Sequence, residues 1–252
     1  MRVKNLFTMF SLVLIMTFTA TSAFAKWNFG LGTGLTMLAV EGDIGINTIL
    51  AGPVTLPVEL DAEDVSDLMA SAFGFGGYAT DGTWMINYSF GMMELEGDAA
   101  DGAITASLDY KTTGAELTVG YPIYKSSPVS FSLLGGLRYT KHELSTRVSN
   151  GITTLNNNKD NNWTDVVFGA TADVELHKDW TWSTRADAGF GGSEGTYVAN
   201  TGVTWRFLEN WSGTLFAKYA AVEFENGSRG DSNWYFYDVD EKSLGLTILY
   251  HW

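Results

Sequence analysis

From Trp84 to Trp252, apolar side chains recur at every second position, in segments of about ten residues or more. That is the period and length of a tilted strand crossing a membrane. Trp84, Ile86, Tyr88, Phe90 and Met92 share one face, with Asn87, Ser89 and Gly91 on the other. Val129, Phe131, Leu133, Leu137 and Tyr139 lie opposite Ser130, Ser132, Arg138 and Thr140. Val166, Phe168, Ala170, Ala172, Val174 and Leu176 lie opposite Asp165, Asp173 and Glu175, and Trp180, Trp182, Ala186 and Ala188 opposite Arg185 and Asp187. Val203, Trp205 and Phe207 then alternate with Thr204 and Arg206, and Leu215, Ala217 and Tyr219 with Thr214 and Lys218, although Phe216 falls on the polar face. Leu244, Leu246, Ile248, Tyr250 and Trp252 complete the series. A slip of one residue would turn every charge toward lipid, so the position of each strand is strongly specified.

The segment Ile104 to Tyr121 breaks the rule, its apolar residues being even-numbered up to Tyr110 and odd-numbered from Leu117. Either a bulge near Thr113-Gly114 or an upper part standing clear of the membrane accounts for it. Short turns are expected at Tyr124–Ser127, His177–Asp179 and Leu208–Asn210. Longer polar loops are expected at Glu96–Gly102, Ser149–Asn162 and Glu225–Asn233, with Gly192–Gly195 as a short exception on that side. Outer-membrane barrels alternate in this way, with short periplasmic turns and longer outer loops.

Eight strands follow from Trp84 onward. Trp27 to Met37 and Ala70 to Ala79, the latter leading into an Asp81-Gly82 turn, bring the number to ten, with eight or twelve as alternatives. Between them, residues 61–70 open on acidic side chains and place Val65, Leu68 and Met69 at helical spacing, which predicts one short helix. The fold class is therefore all-β: a closed antiparallel transmembrane β-barrel of about ten strands.

The first 25 residues carry Arg2 and Lys4, a largely apolar stretch too short to span a bilayer, and Ala23-Phe24-Ala25 as a cleavage site. They are expected to form a cleaved signal peptide, leaving residues 26–252 as the barrel domain. Because Arg2 and Lys4 are two of the 15 basic residues, that domain holds 13 basic against 29 acidic residues. Nucleic acid is disfavoured as a partner by this balance. With no cysteine, disulfides and thiolate metal sites do not arise.

The closing segment LGLTILYHW, with Tyr250 and the terminal Trp252, resembles the strand that outer-membrane barrels present to their assembly machinery. DGTWMINYSF, NNWTDVVFGATADVEL and WTWSTRADAGFGGSEGTYVANTGVTWRF resemble pieces of a group of small, mostly uncharacterised, porin-like or OmpA-barrel-like proteins. A proline common in that group is Val166 here. The resemblance implies the outer membrane of a Gram-negative bacterium, with outer-membrane lipid, the barrel-assembly machinery and periplasmic chaperones as partners. It brings no active site.

His142, His177 and His251 stand in no recognisable Ser/His arrangement and have no ligand spacing, so no catalytic, metal or cofactor site is expected. The lumen-facing charges are Glu116, Arg138, Asp165, Asp173, Glu175, Arg185, Asp187, Arg206 and Lys218. Arg138, Arg185 and Arg206 are expected to be neutralised by Glu116, Asp173, Glu175 or Asp187. Trp84, Trp163, Trp180, Trp182, Trp205, Trp211 and Trp252 are expected in outward interfacial belts. A structural or narrow-pore barrel with a charged, side-chain-filled lumen follows. The alternatives are a barrel that binds a small ligand or modifies lipid, and a secreted β-sandwich binding protein.

Overall fold

The computed structural model describes residues 27–48, 52–101, 104–149, 151 and 153–252. The expected signal segment, residues 1–25, lies outside them. Among the described residues eleven strands run in chain order: β1 (Asn28–Thr48), β2 (Gly52–Leu60), β3 (Met69–Thr80), β4 (Met85–Asp101), β5 (Ile104–Ser126), β6 (Val129–Ser149), β7 (Thr154–His177), β8 (Trp180–Phe190), β9 (Gly195–Leu208), β10 (Trp211–Asn226) and β11 (Tyr235–His251). A helix, α1 (Ala62–Leu68), separates β2 from β3. Antiparallel pairing runs from β3 through to β11 in chain order, and β1 closes the ring by pairing with both β11 and β3. Ten strands thus form the barrel, and β2 lies outside the ring on the upper half of β1, from Val40↔Leu60 to Thr48↔Gly52. Sequence reading missed β2 because Pro53 and Pro57 interrupt its pattern; both are tolerated since the strand has a partner on one edge only.

The ends of the barrel are joined by local chemistry. Asp81 accepts from the backbone N–H of Thr83 and Trp84 and Gly82 takes φ +88°, which forms the β3–β4 turn. Asp61 caps α1 by accepting from the N–H of Glu63 and Asp64, while the Asp64 carboxylate accepts from the Asp61 N–H. Val65 of α1 is buried, and the helix packs on β1, β2 and β4. At the seam, Phe29 and Trp252 exchange two backbone hydrogen bonds of 3.0 Å and stack their rings.

Strands of up to 24 residues far exceed the 9–11 or so that a bilayer requires. Their two faces exchange character partway up. In the lower band Leu117, Phe131, Leu133, Phe168, Leu215 and Leu246 are exposed on the outside, as lipid-facing positions should be. Above Tyr139 the outward residues of β6 are Lys141 and Glu143, and the Lys141 ammonium bridges Glu143 and Asp160 of β7, whereas inward His142 and Leu144 are buried. This upper part stands clear of the membrane and has the interior of a soluble protein: Ile46, Leu144, Trp163, Phe224, Tyr235, Tyr237 and Val239 form one cluster.

Several expectations are corrected by this extension. The register of β5 against β4 and β6 is continuous through Thr113-Gly114, so no bulge lies there and the change of apolar parity marks the exit from the membrane. The loop expected over Ser149–Asn162 is strand from Thr154, since its asparagines face water or bond within the extension, as Asn226 Nδ2 does to Asn161 Oδ1 at 2.8 Å. Glu96 to Asp101 likewise belongs to β4. Trp163 is not in an outward belt: it is odd-numbered like Asp165, points inward and is 5% exposed.

Candidate functional site

Three strands bring four of the expected lumenal charges into one closed network. Glu116 on β5 lies directly opposite Arg138 on β6, and Arg138 Nη2 reaches Glu116 Oε2 at 2.6 Å and Asp187 Oδ1 of β8 at 2.7 Å. Arg185 of β8 completes the ring, with Nε 2.7 Å from Asp187 Oδ2 and Nη1 2.7 Å from Glu116 Oε1. Gly169 on the intervening β7 permits the reach from β6 to β8, because a Cβ there would stand 2.5 Å from the Cβ of Asp187. Each carboxylate accepts from both arginines, so the quartet is neutral and every contact is a charge-assisted hydrogen bond. Arg138 Nη1 and Arg185 Nη2 find no protein acceptor among the described residues, which leaves two donors for lumen water.

The other expected lumenal residues are placed apart from the quartet. Asp165 is fully buried and accepts from Gly192 N, Ser193 N, Ser193 Oγ and Thr196 Oγ1 at 2.8–3.0 Å, so it pins the β8–β9 turn. Asp173 and Glu175 take hydroxyl contacts from Ser130 and Ser127 toward the short-turn end, not ion pairs with arginine as expected. Arg206 also departs from expectation. It lines a cavity of about 450 Å³ at the short-turn mouth together with Tyr78, Glu209 and His251, and forms no ion pair among the described residues. Lys218 stands higher on the inner face of β10, also without an ion pair among the described residues. Tyr250 packs edge-on against Trp211, and Trp252 stacks on Phe29 and Tyr250.

At the same mouth the fold assembles a Ser/His contact that sequence spacing does not reveal. Ser212 Oγ lies 2.8 Å from His251 Nε2, and Tyr78 OH lies 2.9 Å from His251 Nδ1. Gly30 makes room on β1, since a Cβ there would fall 2.5 Å from the Tyr78 ring. Ser212 is 2% exposed, and the third member is a phenol rather than a carboxylate. With the hydroxyl shielded in this way, the chain of bonds ties β3, β11 and β10 together across the barrel seam.

Above the quartet, aromatic rings from opposite walls meet. In a ring of ten, β6 and β11 are diametrically opposed, yet the His142 ring centroid lies 4.6 Å from that of Tyr237, and His142 Nδ1 is 2.9 Å from Tyr235 OH. Trp163 of β7 stacks on Phe224 of β10 at 4.1 Å. The shorter β8 and β9 do not reach this level, so the extension is two facing sheets, β4–β7 against β2, β1, β11 and β10. Burial holds His142 well below its ordinary pKa of 6.5, at about 3, and pushes the Tyr235 and Tyr237 hydroxyls up.

No protein-family model matches the chain, and no curated protein matches it. Solved structures do match. The outer membrane protease OmpT from Escherichia coli is 9% identical with a TM-score of 0.54, over 89% of this chain and 97% of its own. The translocator domain of autotransporter NalP from Neisseria meningitidis is 12% identical with a TM-score of 0.48, over 98% and 95%. Ail, the attachment invasion locus protein of Yersinia pestis, is 12% identical with a TM-score of 0.34, over 90% and 99%. At such identities the likeness is one of fold. The chain has the fold of an outer-membrane β-barrel, with the apolar outer band that this fold requires.

Proposed function

We propose that the chain is a non-conducting barrel with a structural role, closed along its axis and carrying a folded extension at the cell surface. The observation that supports this most directly is the contact of His142 with Tyr235 and Tyr237, which joins opposite walls above a lumen already crossed by the Arg138–Glu116–Arg185–Asp187 quartet. A ten-strand barrel is narrow enough for side chains to fill, and a close-packed two-layer aromatic core above it would interrupt the path of water along the axis. Outer-membrane lipid would surround the lower band. Tyr250 and Trp252 would serve as the signal read by the assembly machinery, with periplasmic chaperones escorting the acidic chain. Planar-bilayer recording of the purified protein tests the reading: wild type is expected to give no unitary current steps. Regular steps would refute it in favour of the narrow pore.

A further inference from the structure

The barrel wall is not hydrogen-bonded all the way round at the level of the lipid. The β1–β3 ladder runs from Asn28↔Thr80 only to Gly32↔Gly76, and β2 takes up the same edge of β1 from Val40. Between these points, residues 33–39 of β1 pair with β11 alone, and the facing part of β3, residues 69–75, pairs with β4 alone. At about 3.3 Å per residue this stretch is roughly 23 Å long, most of the height of a hydrocarbon core. One side-chain bond crosses its foot, from Thr33 Oγ1 to the Gly74 carbonyl at 2.6 Å, and α1 roofs it between β2 and β3. All five residues from Thr33 to Met37 are exposed, as are Ala70 to Phe73, whereas a closed wall would expose only alternate side chains.

Such an opening is chemically two-sided. Every second residue on each edge directs its N–H and C=O into the space, and in hydrocarbon each unsatisfied group costs several kcal/mol. The edges therefore require a polar partner, while outside them Leu35 at 82% exposure, Met37, Phe73 and Phe75 offer apolar lips to the bilayer. Inside, beside the opening, stands a matched pair on β10. Phe216, the one large apolar residue of its strand segment that breaks the alternation, lies over Gly245 at the level of Thr36; a Cβ on Gly245 would be 2.4 Å from its ring and 2.9 Å from the Leu35 carbonyl. Lys218, one strand position pair above, lies level with Ser243 and Leu38 and has no ion pair among the described residues.

We propose that the opening between β1 and β3 is a lateral binding site for a long-chain carboxylate: the head group meets Lys218 in the lumen, the first methylenes pass Phe216, and the tail leaves between the strands into the bilayer. A single ammonium suits a singly charged head group, and a wedge between two strands suits a single acyl chain. Lumen water wets the strand edges around the head, so the polar requirement of the backbone and the apolar requirement of the lips are met together. The site goes beyond the structural role proposed above, and its test does not depend on current through the barrel.

The experiment uses the full mature chain in lipid nanodiscs, with hexadecanoic acid bearing a diazirine near its methyl end as the probe. After irradiation, the labelled positions are read by mass spectrometry. The acid is expected to label residues 33–39 and 69–75, and its methyl ester to label them about tenfold less. Lys218→Gln should reduce acid labelling by a similar factor while heat-modifiable gel mobility reports an intact barrel. Ala72→Trp, which fills the inner side of the opening, should abolish it. Equal labelling by acid and ester, or labelling spread evenly onto Leu133 and Phe168 of the far wall, would overturn the proposal. So would cross-linked pairs of chains joined at residues 33–39 in place of probe labelling, which would make the edge a dimer contact.

Discussion

Acidification should loosen the part of this barrel that extends above the lipid-facing band, and His142 is the group that should cause it. The imidazole is fully enclosed, with Tyr110, Trp163, Tyr235 and Tyr237 around it, and no carboxylate among the described residues bonds to it; burial lowers its pKa from 6.5 to about 3. In the unfolded chain the same group protonates near 6.5, so the unfolded state binds the additional proton as pH falls. The stabilisation from keeping His142 neutral is therefore complete above pH 6.5 and is lost as pH drops toward 3. Each unit is worth about 1.4 kcal/mol, so from neutrality to pH 5 the loss is about 2 kcal/mol, a thirtyfold change in the opening equilibrium of the extension. Urea unfolding of the reconstituted protein at pH 7.5 and pH 5.0, followed by near-ultraviolet circular dichroism of the packed aromatic rings, measures it. His142→Gln keeps a partner for the Tyr235 hydroxyl but does not titrate, and His177 and His251 are common to both proteins. The difference between wild type and variant in their pH 7.5 to 5.0 loss should be about 2 kcal/mol. Equal losses in the two proteins would refute the assignment.

Three further outcomes are expected. Asp187→Ala, which leaves Arg138 and Arg185 sharing one carboxylate, should lower unfolding stability by about 3 kcal/mol; a loss under about 1 kcal/mol would show that lumen water replaces the partner. Phe168→Arg, on the lipid side of β7, should cost roughly 2–4 kcal/mol and impair assembly, and assembly at the wild-type level would invert the face assignment. Because the chain has no cysteine, single Ser232→Cys and Lys178→Cys variants can be treated on intact cells with an impermeant thiol reagent; only the first should react, and the reverse pattern would invert the topology.

The lower half of this protein is written directly in its sequence. Side chains of a strand alternate by covalent geometry, and lipid outside a partly wet lumen demands opposite chemistry of the two faces. Val166 and Phe168 against Asp165 therefore locate β7 and its orientation with no knowledge of its neighbours. The short helix is equally local, since Asp61, Asp64 and Val65 carry its cap and its buried contact within five residues. Tertiary structure decided the rest. Once β6 and β7 leave the membrane, the same parity that put Asp165 inside puts Trp163 and His142 inside, and only contact with Phe224 and Tyr237 from distant strands turns an apparent belt residue and an isolated histidine into a sealed core. Which acid neutralises which arginine depends on Gly169 letting Arg138 reach across a strand, and the Ser212–His251–Tyr78 chain joins residues up to 173 positions apart. The opening beside β1 is likewise invisible to periodicity: residues 34–37 alternate like any strand, and only the shift of their partner from β3 to β2 shows that this edge is left unpaired.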